Sequence, residues 1–147
     1  MSLFNMDSSA NGFNPIRWDC DNGRNCFNKK MRPKIEVFSE CFPGRINFGD
    51  VDAIVEINGF GLMLEWKTNT NKAKTGQRIM YERLTKSKLL TVLLVVGDAE
   101  TMQVSHMGVF YNGKQSELIE ATLDDVKKKI KAWVKWVSQP KETGRTE

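Results

Sequence analysis

Residues 49–68 read GDVDAIVEINGFGLMLEWKT, and this stretch decides the fold. Asp52–Ile57 and Phe60–Lys67 are two strand-like runs, separated by Asn58 and Gly59. An Asn-Gly pair between apolar runs is the strongest short signal for a β-hairpin, because both turn residues tolerate a positive φ. We therefore predict a tight antiparallel hairpin here, with a register fixed by the two-residue turn.

That register gathers the charged residues of the hairpin on one face. Counting back from the turn, Asp52 falls opposite Glu65, and Asp50 falls opposite Lys67. Strand side chains alternate between faces, so these four side chains share one face and the apolar residues share the other. The apolar set is Val51, Ala53, Val55, Ile57, Leu62, Leu64 and Trp66.

Two opposed carboxylates are unusual on a sheet. Directly opposed residues have Cβ atoms about 4.5–5.5 Å apart, so Asp52 and Glu65 would repel each other. A divalent cation between them would remove that cost, because hard cations such as Mg²⁺ take carboxylate oxygens. Two acids, a metal and a lysine, here Lys67, suit the hydrolysis of phosphodiesters. The alternative interpretation is a solvated polar face on which Lys67 offsets the acids.

The order of these residues resembles the core motif of the PD-(D/E)XK nuclease superfamily. That motif is an Asp, a short variable stretch, then Glu or Asp, any residue, and Lys. Asp52, the hairpin and Glu65-Trp66-Lys67 reproduce it on two adjacent strands. Gln77 and Tyr81 look like the Q-x-x-x-Y motif that follows the lysine in RecB-like members, and their spacing puts them on one helix face. The resemblance covers roughly residues 33–96.

The resemblance implies a fold, an activity and a set of roles. The fold would be α/β, with a restriction-endonuclease-like αβββαβ core, a mixed central sheet flanked by helices and an extra C-terminal helix. The activity would be hydrolysis of DNA by a Mg²⁺- or Mn²⁺-dependent nuclease, similar to the small nucleases of phages. Asp52 and Glu65 would hold the metal with the backbone carbonyl of Trp66, and Lys67 would orient water or stabilise the phosphate. Gln77 and Tyr81 would position the substrate or the lysine, with Asp50 in support.

In some members of the superfamily an acid on the first helix helps to hold metal or water. Pro33 is suited to open a helix that runs to about Phe42, and Glu36 and Glu40 on it are the candidates. Solvent exposure is the alternative for both glutamates. Residues 68–76 form a polar, basic loop in which Lys72 and Lys74 could contact nucleic acid.

The remaining elements follow from periodicity and turn signals. A helix is predicted from about Gln77 to Lys86, and the apolar run Leu89–Val96 is predicted as a strand buried on both faces. The strand–helix–strand connection makes that strand parallel to the Glu65 strand. Residues 103–119, with Asn-Gly at 112–113, predict a second hairpin. Thr122 is a natural N-cap for a final helix over Leu123–Ser138.

Length and composition limit the remaining possibilities. The 147 residues, 40% hydrophobic and 27% charged, fit one domain, with an irregular segment at 1–30 and a frayed tail at 139–147. No apolar run is long enough to span a membrane and no signal peptide is recognised, so we expect a cytoplasmic protein. The net charge of +4 fits a polyanionic partner. A homodimer is left open.

Two alternatives remain at this stage. A nucleic-acid- or protein-binding module could keep the nuclease fold without turnover. Cys20, Cys26, Cys41 and His106 could supply four zinc ligands, although their spacing matches no compact zinc motif, and reduced thiols are the simpler expectation.

Overall fold

The computed structural model of the chain describes residues 33–71 and 75–140. The chain divides into two compact units, residues 1–49 and 50–147. The expectations for the segment 1–30, for Cys20 and Cys26, for Lys72 and Lys74, and for the last seven residues lie outside the described part. Whether one domain spans the whole chain therefore stays a prediction.

The predicted hairpin opens the second unit. Strand β1, Ala53–Ile57, pairs antiparallel with β2, Phe60–Lys67, and Ala53 lies opposite Leu64 as the turn requires. Asn58 and Gly59 both have positive φ, 54° and 86°. The hairpin and its register are confirmed from Ala53 to the turn.

The strand buried on both faces is also confirmed. Helix α1, Thr75–Leu84, and a short 3₁₀ turn over Thr85–Ser87 lead into β3, Leu90–Asp98. β3 pairs parallel with β2, as the strand–helix–strand connection predicts. Residues 92–96 of β3 are all buried.

Strand β4, Gln103–Tyr111, completes the body of the sheet and pairs antiparallel with β3. The second hairpin turns at residues 112–113 as predicted, but its return strand is interrupted. It forms β5, Lys114–Gln115, and β6, Ile119–Glu120, which both pair with β4. Ser116 causes the break, because its hydroxyl accepts the N–H of Val109 at 2.9 Å in place of a main-chain acceptor. The result is a mixed sheet of six strands in the order β1-β2-β3-β4-β5, with β6 beside β4.

Helix α2, Leu123–Val137, closes the fold and begins at the predicted cap. Thr122 and Asp125 form a capping box, in which the Thr122 hydroxyl accepts the N–H of Asp125 and the Asp125 carboxylate accepts the N–H of Thr122. That backbone hydrogen bond holds the pKa of Asp125 below its usual range. The box satisfies donors that a helix otherwise leaves without partners.

The sheet has an apolar core on each face. Under α2, one cluster unites Phe60 and Leu62 with Trp133 and Val137. On the opposite face, a second cluster unites Met63, Leu94 and Phe110 with Tyr81 of α1. The chain is therefore an α/β fold with helices on both faces of a mixed sheet. Within the described residues, no helix is both long and apolar enough to span a bilayer.

The prediction that the apolar residues of β1 form part of a packed face is wrong over most of the strand. Val51, Ala53 and Val55 are exposed, and of the predicted β1 residues only Ile57 packs against the core cluster under α2. β1 is an edge strand, so it lacks the second neighbour whose side chains would help to cover it.

The first unit differs from the predicted α-helix. Residues Ile35–Cys41 form a 3₁₀ helix with no buried residue, and no strand forms at 45–48. The ring of Phe48 packs edge-on against Phe38 and Phe42, with centroids 5.9 and 5.1 Å apart. Most helical stability comes from burying an apolar face, which this seven-residue segment does not do.

Candidate active site

Glu65 and Lys67 lie on the face of β2 that packs against α1. Their neighbours Leu64 and Trp66 point the other way, into the cluster under α2. The Trp66 indole N–H donates to the carbonyl of Gly97 at 3.0 Å, which fixes the end of β2 against β3. Both charged side chains are half-buried. Because side chains alternate along β2, the Glu65 carboxylate and the Lys67 ammonium both face the N-terminal half of α1.

Three hydrogen bonds link the Glu65 carboxylate, the Gln77 amide and the Tyr81 hydroxyl to one another, and two of them reach the carboxylate. The Gln77 amide donates to Oε1 of Glu65 at 2.8 Å and to the Tyr81 hydroxyl at 3.2 Å. The Tyr81 hydroxyl donates to Oε2 of Glu65 at 2.9 Å. Each carboxylate oxygen therefore accepts one hydrogen bond from α1. Gln77 and Tyr81 therefore contact Glu65 itself, whereas the family resemblance implied that they would position the substrate or the lysine.

The environment of Tyr81 keeps its phenol protonated. Burial raises its pKa well above the ordinary value, and so do the hydrogen bond to Glu65 and the negative charge of that residue. The charge of Asp52 acts in the same direction. A phenol in this state is a permanent hydrogen-bond donor to Glu65 at neutral pH.

Asp52 occupies a position that differs from the predicted one. The ladder between β1 and β2 ends at the Ala53–Leu64 pair, so neither Asp52 opposite Glu65 nor Asp50 opposite Lys67 forms a strand pair. Oδ2 of Asp52 instead accepts the backbone N–H of Trp66 at 2.7 Å. This side-chain oxygen replaces the main-chain acceptor that a longer β1 would supply, which is why the strand stops there. The carboxylate still lies beside the residue that follows Glu65.

Lys67 lines a cleft of about 650 Å³. Thr75 and Arg78 of α1 form one wall, and residues 115–118, at the break between β5 and β6, form another. Within the described part of the chain, the Lys67 ammonium makes no ion pair, whereas Arg78 pairs with Glu82 at 3.2 Å. The polar-face interpretation, in which Lys67 offsets the acids, therefore lacks a direct contact in the structure.

The other acidic candidates lie outside the β1–β2 strand ladder. Asp50 is exposed ahead of β1, outside the strand ladder. Glu36 and Glu40 are exposed on the 3₁₀ helix of the first unit. Arg78 and the 115–118 wall of the cleft were not predicted. Arg78 directly follows Gln77 in the motif and could have been noticed, but the strand break gives no sequence signal.

The oxygen donors suit a magnesium-type cation. Mg²⁺ is usually bound through one or two carboxylates and keeps several waters, so Asp52 and Glu65 could meet its needs. Among residues 33–71 and 75–140, no group of three or more His, Cys, Asp or Glu side chains is placed to hold a metal. A cation here would depend on the two acids, a backbone carbonyl and water.

No protein-family model, no curated protein and no solved structure matches the chain.

Proposed function

We propose that the protein is a metal-dependent nuclease that hydrolyses phosphodiester bonds in DNA. One observation carries the proposal. The Glu65 carboxylate is fixed by Gln77 and Tyr81, and beside it Lys67 lines a cleft and forms no ion pair with any described residue. A concave site with a few convergent polar groups is the usual setting for catalysis. The fold is proposed to be of the restriction-endonuclease-like type, since a hairpin, a helix and a parallel strand follow one another as in the later part of the αβββαβ order. Among the described residues, two strands and not three precede α1, and a 3₁₀ helix stands in place of the first α-helix.

The arrangement supports a role for each residue. A Mg²⁺ or Mn²⁺ ion, when bound, would supply an activated water and neutralise charge on the phosphate. Asp52 and Glu65, with the carbonyl of Trp66, would hold it. Gln77 and Tyr81 would orient the Glu65 carboxylate, because each donates to a different one of its oxygens. Lys67 would stabilise the negative charge that develops on the phosphate.

The lysine suits this role because of its surroundings. An ammonium already paired with a carboxylate would have to break that pair before it reached a phosphate. Lys67 has no such partner among the described residues. Arg78, on the wall of the same cleft, forms an ion pair with Glu82. We therefore assign Arg78 at most to binding the DNA strand and not to the chemical step.

A cleavage assay tests the proposal. Plasmid, linear duplex, single-stranded and branched DNA are each incubated with the protein in Mg²⁺, in Mn²⁺ and in EDTA. We expect cleavage of at least one substrate in a divalent metal, none in EDTA, and none by Glu65→Gln. Lys127→Ala, on the exposed surface of α2, is the matched control and should cleave like the parent.

The rival is a binding module that keeps the fold without turnover. Its support is the hydrogen bond between Asp52 and the Trp66 N–H, which gives that acid a structural task of its own. Calorimetric titration with Mg²⁺ separates the two functions. A folded protein that binds DNA, takes up no metal and cleaves none of the four substrates would establish the rival.

A further inference from the structure

A groove of about 410 Å³ lies between α2 and the sheet, on the face opposite Glu65. Leu62 and Leu93 lie on its sheet side, and Ala132, Trp133 and Trp136 lie on its helix side. Its volume is within the range of about 300–1,000 Å³ typical of small-ligand pockets. The cleft that contains Lys67 shares none of these residues.

Aromatic rings form one end of the groove. Trp136 is 36% exposed, and its ring centroid lies 5.1 Å from Phe60 and 6.0 Å from Tyr111. Both Tyr111 and Trp136 line the groove. A half-exposed indole backed by two further rings is a rigid, flat surface on which another aromatic ring can stack.

The groove also contains a hydrogen-bond donor without an acceptor. Trp133 is 8% exposed, and its indole N–H has no partner among the described residues. Buried donors are nearly always satisfied in folded proteins, so this indole is an exception on the helix side of the groove.

Lysines surround the aromatic end. Lys129 lines the groove itself, and Lys128 and Lys135 lie on the same side of α2 as Ala132, at spacings of four and three residues. All three are exposed, and none forms an ion pair within the described part of the chain. The surface therefore combines stacking rings with lysines that form no ion pair, of which Lys128 lies near enough to Asp125 to help lower the pKa of that carboxyl.

We propose that this α2 groove binds single-stranded nucleic acid, with a base stacked on Trp136 and phosphates held by Lys128, Lys129 and Lys135. Positively charged grooves with exposed aromatic side chains are the common design of single-strand binding sites. An acidic protein would satisfy the lysines but would have no need for stacked rings. The inference is independent of hydrolysis, because the groove is on the other face of the sheet.

The test measures the binding of a fluorescein-labelled oligothymidine to the full chain in EDTA, by anisotropy, across a range of salt concentrations. Trp136→Ala should weaken binding at least about fivefold, and Trp136→Phe should recover most of it, because every aromatic ring offers a face for stacking. Lys128→Ala with Lys135→Ala should make the salt slope shallower by about 1.4, or about 0.7 for each lost phosphate contact. Thermal melts of each variant show that it is folded.

Lys127→Ala is the matched control, because it removes the same charge from the side of the same helix that is opposite Trp136. It should change the affinity less than twofold. Unchanged binding by both the Trp136→Ala variant and the double lysine variant would overturn the proposal. Equal affinity for duplex DNA would exclude base stacking, and displacement by polyglutamate as readily as by oligothymidine would indicate an acidic protein partner. A protein that fails to cleave DNA but shows these binding losses would refute only the nuclease proposal.

Discussion

The hydroxyl of Tyr81 donates a hydrogen bond of 2.9 Å to Oε2 of Glu65, across the space between α1 and β2. This contact joins the two halves of the sequence motif, which are 16 residues apart. It also places a polar pair at the margin of the core cluster that contains Met63 and Phe110. Both the stability of the fold and the orientation of the acid therefore depend on one phenol.

The first prediction concerns pH. The pKa of Tyr81 is raised in the folded state, so folding favours the protonated phenol. The stabilisation is complete below the ordinary tyrosine pKa of about 10 and is lost as the pH rises above it. Tyr81→Phe should be about 1–2 kcal/mol less stable than the parent at pH 8, because a donor to a carboxylate is removed, and this gap should narrow above pH 10.

Urea unfolding at pH 8 and at pH 10.5 gives the two free energies of unfolding. Absorbance at 295 nm supplies a separate readout, since the chain has only two tyrosines. The Tyr81→Phe variant should lose the component of the parent's curve that titrates above about pH 10. Identical curves for the parent and the variant in that range would contradict the assignment.

The second prediction separates the two roles of Asp52. Asparagine keeps an oxygen that can accept the Trp66 N–H, whereas alanine does not. Asp52→Asn should melt within a degree or two of the parent in EDTA, and Asp52→Ala should lose about 1 kcal/mol. Both should lose cleavage if the carboxylate holds the metal. Full activity in Asp52→Asn would remove Asp52 from the metal site.

The third prediction concerns Lys67. Its ammonium makes no ion pair within the described residues, so its removal should cost little stability. Lys67→Ala should keep the parent's melting temperature within about two degrees and its calorimetric affinity for Mg²⁺, while cleavage falls at least about 100-fold. A large drop in melting temperature with retained activity would instead assign the lysine to the fold.

The fourth prediction compares two glycines. A Cβ at Gly97 would clash with the carbonyl oxygen of Gln103, at the bulge between β3 and β4. A Cβ at Gly76, in α1, would meet nothing within 4 Å. Gly97→Ala should therefore cost about 1–3 kcal/mol through overpacking, and Gly76→Ala should gain about 0.5–1 kcal/mol through helix propensity. Chemical denaturation of both variants checks the opposite signs.

Much of the sheet could be predicted because its signals are local. The Asn58-Gly59 turn determines the hairpin register without help from distant residues, and the apolar run at Leu89–Val96 can be stable only between two layers. The cap at Thr122 is equally local. These are the elements that the structure confirms.

The structure differs from the prediction where contacts between distant residues determine the end of a strand or the partner of a side chain. β1 ends at Ala53 because the Asp52 side chain takes the Trp66 N–H, a contact between residues 14 positions apart that strand propensity does not encode. The break after Gln115 depends on the Ser116 hydroxyl meeting β4. Spacing showed that Gln77 and Tyr81 share a helix face, but only the packing of α1 on β2 identifies Glu65 as their partner.

The Asn58 amide also donates to the carbonyl of Val137, at 3.0 Å, and so joins the hairpin turn to the last residue of α2 across 79 positions. This bond connects the first hairpin of the sheet to the C-terminal end of α2. Partial opening of either end would release the other, so we expect the hairpin and α2 to exchange their amide hydrogens as one cooperative unit. A fusion partner joined directly after Val137 would disturb the hydrogen bond between Asn58 and Val137. An affinity tag is therefore better separated from α2 by a flexible linker.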